Sequence, residues 1–171
     1  IINRSASNLR PLMFAVFIFL FLPVDARGQS DVRIACVGNS ITYGARIKNR
    51  EINSYPAQLS SILGKGFDVQ NFGRNGATLL KKGDLPYWET EQFSAALAFN
   101  PDWVFIKLGT NDTKPQNRIY LDSDFVEDYK NLISSFKNLP SQPRIVLLVP
   151  VPVFSTDTTG ITSVILTKKI I

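Results

Sequence analysis

The sequence predicts an α/β fold of the three-layer α/β/α type, with a mainly parallel sheet between two layers of helices. The chain has 171 residues and is 44% hydrophobic, which is enough to bury one core but too little for two sizeable domains. From residue 31 onward, short apolar segments alternate with amphipathic ones. The apolar segments are nearly continuous, as in strands that are buried on both faces of a parallel sheet.

Four apolar segments are predicted to form the strands of this sheet. They span residues 32–37, 67–72, 103–108 and 145–149. The first three are each followed by a glycine, at Gly38, Gly73 and Gly109. In doubly wound sheets, ligands bind beyond the carboxyl ends of the strands. We therefore expect the loops after the first three strands to share one edge of the sheet and to carry the chemistry.

Three helices are expected between these strands. Ser54 is predicted to cap the first helix. The second is predicted around residues 91–99. The third carries apolar residues three and four positions apart over residues 125–136, behind Asp124 and Glu127 in the positions of a capping box.

Residues 1–28 have the pattern of an export signal. Arg4 and Arg10 precede an apolar run that reaches residue 24, and small residues at positions 26 and 28 follow it. An uncleaved membrane anchor is the alternative, but a spanning helix needs roughly 20 apolar residues and this run is shorter. The sequence thus predicts a signal peptide over 1–28 and a mature domain over 29–171, exported to the periplasm or secreted, with no stable membrane insertion after cleavage.

Both ends of the chain suggest that the sequence is incomplete. It begins with Ile1 rather than methionine, and it stops at Ile171 inside an apolar stretch that starts near Ile161. We expect the last strand and helix of the fold to be missing.

The composition argues against several classes of function. The net charge of +5 falls to +3 when the three arginines and one aspartate of residues 1–28 are left out, and no basic stripe with interleaved aromatics occurs, so nucleic-acid binding has little support. Cys36 is the one cysteine, and its place in a buried strand favours packing over nucleophilic chemistry. Without histidine or a cysteine pair no metal site is predicted, and no cofactor is expected. The Gly38–Gly44 loop does not fit a phosphate loop, because Ala45 follows where lysine is needed.

Each of the three loops is ambiguous by itself. Ser40 follows the first strand between Gly38 and Gly44 and suits either a nucleophile or an ordinary capping serine. The loops at 71–78 and 109–112 are both compatible with simple turns. Together they offer a hydroxyl, a glycine N–H and an asparagine amide on successive strand ends, which is the donor set of a nucleophile with its oxyanion hole.

With these three loops in this order, the chain resembles the SGNH hydrolases, also called the GDSL esterases. The three blocks of that family are similar to Gly38-Asn39-Ser40-Ile41-Thr42, residues 71–78 and residues 109–112, and the resemblance covers about residues 32–152. It implies a flavodoxin-like sandwich with Ser40 as the nucleophile. It also implies an oxyanion hole made by the Ser40 N–H, the Gly76 N–H and the Asn111 side chain. Gly76 takes this role rather than Gly73 because the family's glycine lies two residues before a threonine.

The chain departs from the family pattern in two places. Asn39 stands where the family usually has aspartate, a nearly isosteric change. The family's Asp-x-x-His block is absent, and none of the 171 residues is histidine, the residue that would take the serine proton. We therefore expect this polypeptide alone to be inactive, with truncation favoured over a true loss of the base.

The resemblance points to an exported serine esterase that acts on acylated, above all O-acetylated, carbohydrate or another small ester. The segments at 38–44, 53–56 and 107–112 are similar to sialate or xylan O-acetylesterases. A non-catalytic glycan-binding relative and a lipase- or thioesterase-type hydrolase remain as alternatives, and the oligomeric state is open. Asp84, Tyr87 and Trp88 suit a sugar-binding rim or the edge of the core, and we favour the core.

Overall fold

The structure, a computed structural model, describes residues 31–150. The predicted export signal and the predicted chain truncation both fall outside this range. Within it, four parallel strands form one sheet in the order β2-β1-β3-β4. The strands are β1 (Val32–Gly38), β2 (Phe67–Gly73), β3 (Trp103–Lys107) and β4 (Arg144–Leu147). This confirms the predicted parallel sheet.

The helices connect the strands and cover both faces of the sheet. They are α1 (Ser40–Tyr43), α2 (Arg50–Asn53), α3 (Tyr55–Leu63), α4 (Glu91–Ala98), α5 (Pro115–Arg118) and α6 (Phe125–Lys137), with short 3-10 turns at Tyr87–Glu89 and Asn111–Thr113. No helix in residues 31–150 is both long and apolar enough to cross a membrane.

Alternating residues of the strands separate the two faces. Ala35 and Val37 of β1 point into the main core, where Leu132 and Phe136 of α6 pack with them. Cys36 lies on the opposite face, beside Tyr55 of α3. Burial raises the pKa of the Cys36 thiol to about 12, although a hydrogen bond with Tyr55 lowers it slightly. A thiol of this kind stays protonated at neutral pH and acts as a packing residue, as the sequence predicts.

Two predicted helix caps are wrong, although the helices themselves are confirmed. The Ser54 side chain makes no capping hydrogen bond to α3. Asp124 precedes α6, but its backbone already has helical geometry. The preceding turn continues into the helix, because the Asp124 N–H donates to the Tyr120 carbonyl. An N-cap normally has an extended backbone, so the carboxylate cannot fold back and instead pairs with Lys82 at 2.8 Å.

Replacement of a buried residue of α6 tests how that helix packs. Leu132→Ala removes a fully buried side chain and leaves a cavity, so we expect the free energy of unfolding to fall by about 2–5 kcal/mol. Urea denaturation followed by circular dichroism measures this loss. Val126→Ala is the control on the same helix, because Val126 is 45% exposed and its loss should cost less than about 0.5 kcal/mol. Equal losses would contradict the packing of α6 on the sheet.

Candidate active site

The three predicted loops lie at one edge of the sheet. In the parallel register, Gly38 at the end of β1 is opposite Gly73 of β2 and Lys107 of β3. The segments that follow these residues carry Ser40, Gly76 and Asn111 respectively. The structure therefore places the three segments as the sequence predicts, at the carboxyl ends of neighbouring strands.

Ser40 is the first residue of α1 and is half-buried. The Asn39 side chain caps this helix, since its Oδ1 accepts a hydrogen bond from the Ile41 N–H at 3.0 Å. The helix ends after one turn, where Gly44 has φ of +86°. Asn39 thus caps the helix that begins with Ser40 through its amide oxygen, an acceptor of the kind that aspartate also carries.

Glycines at the strand ends allow α1 to lie directly against the sheet. A Cβ atom on Gly73 would overlap the Tyr43 nitrogen and would lie 2.7 Å from the Thr42 carbonyl carbon. The Asn71 side chain fixes the same contact, because its Nδ2 donates to the Thr42 carbonyl at 2.9 Å. Gly73 is thus required for close packing.

Gly76 lies in the loop after β2, which turns back over the end of β1. The Arg74 N–H donates to the Gly38 carbonyl at 2.9 Å, and the Ala77 N–H donates to the Arg74 carbonyl at 3.2 Å. Within this tight turn Gly76 has φ of +79°, a conformation that residues with a side chain rarely adopt. The glycine is therefore needed by the shape of the turn.

Asn111 connects the loop after β3 to the loop that carries Gly76. Its side chain is 6% exposed, and Nδ2 donates to the Ala77 carbonyl at 2.9 Å. The Asn111 carbonyl in turn accepts from Nδ2 of Asn117 at 2.9 Å. The second and third loops are therefore in direct contact, and the second is joined to the first through Arg74 and Gly38.

Asp112 is a residue of this region that the sequence analysis assigns no role. Its carboxylate is fully buried, and its two oxygens accept from the N–H groups of Leu79 at 3.1 Å and Leu80 at 2.7 Å. Burial raises the pKa of Asp112 to about 6, against the lowering effect of these two hydrogen bonds. The sequence offers one indication of a role for Asp112, which is its position directly after Asn111 in the third block.

The aromatic residues after the second loop belong to the core. Tyr87 is fully buried and its hydroxyl donates to the Phe72 carbonyl at 2.7 Å. The Trp88 indole N–H donates to the Leu79 carbonyl at 2.7 Å. Asp84 accepts from Nδ2 of Asn117 at 2.9 Å. The packing interpretation is confirmed for Tyr87 and Trp88, which hold the loop in place.

In the described part of the chain, no three acidic, cysteine or histidine side chains come together in a way that could hold a metal ion.

Comparison with known proteins identifies the family. The GDSL-like Lipase/Acylhydrolase family matches residues 36–164, a range that includes all three loops. The chain belongs to this family.

A curated relative of this GDSL-family chain is the acetylxylan esterase of Xylanibacter ruminicola. The two are 41% identical over an alignment that covers 77% of this chain and 31% of that protein. The chain therefore spans about a third of the length of the relative that it matches.

Solved structures show the same fold at lower identity. One is a two-domain esterase active on acetylated mannans, with a TM-score of 0.53, 23% identity and coverage of 69% of this chain and 29% of that one. Another is a carbohydrate acetylesterase family member from Sinorhizobium meliloti, with a TM-score of 0.53, 19% identity and coverage of 80% and 72%.

The raised pKa of Asp112 predicts how stability of the GDSL-family domain depends on pH. Its folded pKa of about 6 exceeds the ordinary value of 3.8, so the folded state binds the proton more tightly. This contribution to stability is fully present below about pH 4 and is lost as the pH rises to about 6, for a total of about 3 kcal/mol. Urea denaturation at several pH values measures it.

Asp112→Asn should remove this pH-dependent component. The difference in unfolding free energy between the variant and the wild type should then change between pH 4 and pH 6. A difference that is constant over this range would contradict the assigned titration.

Proposed function

We propose that this GDSL-family protein is an exported serine esterase that removes O-acetyl groups from carbohydrate. The proposal rests on the hydrogen bond from Asn111 Nδ2 to the Ala77 carbonyl. This bond holds a side-chain amide beside the Gly76 turn. The turn lies at the same edge of the sheet as Ser40. The name of the relative that is 41% identical, an acetylxylan esterase, supports the acetylated carbohydrate as substrate.

In the proposed reaction, Ser40 Oγ attacks the carbonyl carbon of the ester. Negative charge then develops on the carbonyl oxygen, and the Ser40 N–H, the Gly76 N–H and the second hydrogen on Asn111 Nδ2 donate to it. The C–O bond to the sugar breaks, the sugar oxygen takes up a proton, and an acyl-enzyme remains on Ser40. Water attacks the acyl carbon and releases acetate, and Ser40 recovers its proton.

The serine proton needs an acceptor in the first step. A serine hydroxyl is a weak nucleophile at neutral pH without an adjacent general base. The proposal assigns this role to a histidine, and the 171 residues contain none. We expect the 171 residues alone to hydrolyse the ester more slowly by orders of magnitude than a chain with this base.

Export is part of the same proposal. The pattern of residues 1–28 supports a signal peptide that is cleaved before Gln29. A location outside the cytoplasm suits a substrate that is a glycan of a wall or a fibre.

A non-catalytic glycan-binding protein is the second candidate, favoured by the missing histidine. It would keep the fold and the three loops but would not turn over an ester. A gene product that ends at residue 171 would support this candidate, whereas an in-frame Asp-x-x-His sequence downstream would support the esterase. A lipase- or thioesterase-type hydrolase is separated from both by a comparison of acetyl with long-chain esters.

Replacement of Ser40 tests the nucleophile. In the protein translated to its natural stop codon, Ser40→Ala should reduce the release of 4-nitrophenol from 4-nitrophenyl acetate by about 1,000-fold or more, since no acyl-enzyme can form. Ser94→Ala, at an exposed position of α4, is the control and should retain wild-type turnover. Unchanged turnover in Ser40→Ala would rule out the assignment.

Replacement of Asn111 tests the oxyanion hole. Asn111→Ala removes one donor and should reduce kcat by about 100- to 1,000-fold with little change in KM, because the lost hydrogen bond forms mainly in the transition state. Steady-state kinetics on the same ester measures both constants. Asn138→Ala, at an exposed position after α6, provides the control. A loss confined to KM would show that Asn111 contributes to substrate binding alone.

A further inference from the structure

We propose that Asp112 is a positioning residue of this esterase, whose buried carboxylate fixes the loop that presents the Gly76 N–H to the oxyanion. The inference rests on the proposed function, since it gives the donor loop a catalytic purpose. Asp112 does not touch the substrate in this proposal. It acts through the backbone of the loop after β2.

The contacts of Asp112 are directed at that backbone. Its two carboxylate oxygens accept from two consecutive N–H groups, those of Leu79 and Leu80. A carboxylate that binds two successive peptide groups fixes both their position and the direction in which they point. Leu79 lies three residues after Gly76, so the constraint is transmitted through Ala77 and Thr78.

Asn111 extends the same attachment toward Gly76. Its Nδ2 donates to the carbonyl of Ala77, the residue that follows Gly76. Two adjacent side chains from the β3 loop thus bind three residues of the segment that follows Gly76. Other bonds also attach this segment to its neighbours, such as those from the Lys81 N–H to Asp128 of α6 at 2.9 Å and from the Asp84 N–H to Asn117 at 2.8 Å. These contacts begin at Lys81, so they lie farther along the chain from Gly76 than the bonds of Asn111 and Asp112.

The chemistry of the contact also favours a positioning role. A fully buried carboxylate is costly, and within residues 31–150 its oxygens accept hydrogen bonds from backbone N–H groups and contact no cation. Among the described residues, the titratable groups that face the Asp112 carboxylate are Asp84, in the segment between β2 and α4, and Tyr129 of α6. The Asp84 carboxylate repels the negative charge of Asp112 and so adds to the cost of its burial. An asparagine of the same shape would avoid this cost but could offer only one acceptor oxygen.

The experiment compares the kinetics of two aspartate variants in the protein translated to its natural stop codon. Asp112→Asn leaves one of the two N–H groups without its acceptor, so the Gly76 N–H is displaced. We expect kcat on 4-nitrophenyl acetate to fall about 10- to 100-fold with KM nearly unchanged, because a small displacement of a catalytic donor has an effect of this size.

Asp102→Asn is the matched control. Asp102 also accepts a backbone N–H, that of Arg33 at 2.8 Å, but it lies just before β3, at the opposite end of the sheet. Its replacement should lower the melting temperature while kcat stays at the wild-type value. A purely structural role of Asp112 would give the same pattern for both variants, and that outcome would overturn the inference.

A third variant covers the case in which Asp112→Asn does not fold. Asp112→Glu keeps the charge and both oxygens but moves them outward by one methylene group, and it too should reduce kcat without a matching change in KM. Wild-type kcat in Asp112→Glu would overturn the inference, while Ser40-dependent hydrolysis by the same preparation would leave the proposed function standing. A wild-type protein without Ser40-dependent hydrolysis would overturn both.

Discussion

The candidate site depends on the parallel register that places the ends of β1, β2 and β3 side by side. Gly38 is opposite both Gly73 and Lys107, so the chain leaves the sheet at the same level three times. Glycine at two of these ends removes the side chains that would hold α1 away from the strands. Close approach of α1 to the end of β2 then becomes possible, and the loops that follow are near enough for the hydrogen bonds that join them. A shift of one residue in either strand pair would separate these loops.

The fold could be predicted from the sequence because its signals are local. Nearly continuous apolar segments and terminal glycines located the strands, and the spacing of apolar residues located α6. The caps were not predictable in the same way. Asp124 has the residue type and spacing of a cap, but the turn that precedes it already has helical geometry, and Lys82 from a distant loop takes its carboxylate. A cap depends on the conformation of the chain on both sides of it, which the residue type alone does not determine.

The candidate site shows the same division between local and distant information. Ser40, Gly76 and Asn111 stand in short blocks with recognisable order, and the chain belongs to the family that those blocks suggested. The contacts of Asp112 cannot be predicted from the sequence, because its partners are backbone N–H groups more than thirty residues earlier in the chain. Backbone groups are the same in every residue, so nothing at positions 79 and 80 indicates a bond to an acidic side chain.

The contact joins main-chain atoms of one loop to side-chain atoms of the other, and this difference affects how the loops evolve. The anchored atoms at Ala77, Leu79 and Leu80 belong to the main chain, so these positions remain open to neutral substitution by other apolar side chains of similar volume. The anchoring atoms of Asn111 and Asp112 belong to side chains and allow no such exchange. Mutational drift should therefore accumulate on one partner of the contact and spare the other, and the geometry would persist while the sequence of the loop diverges.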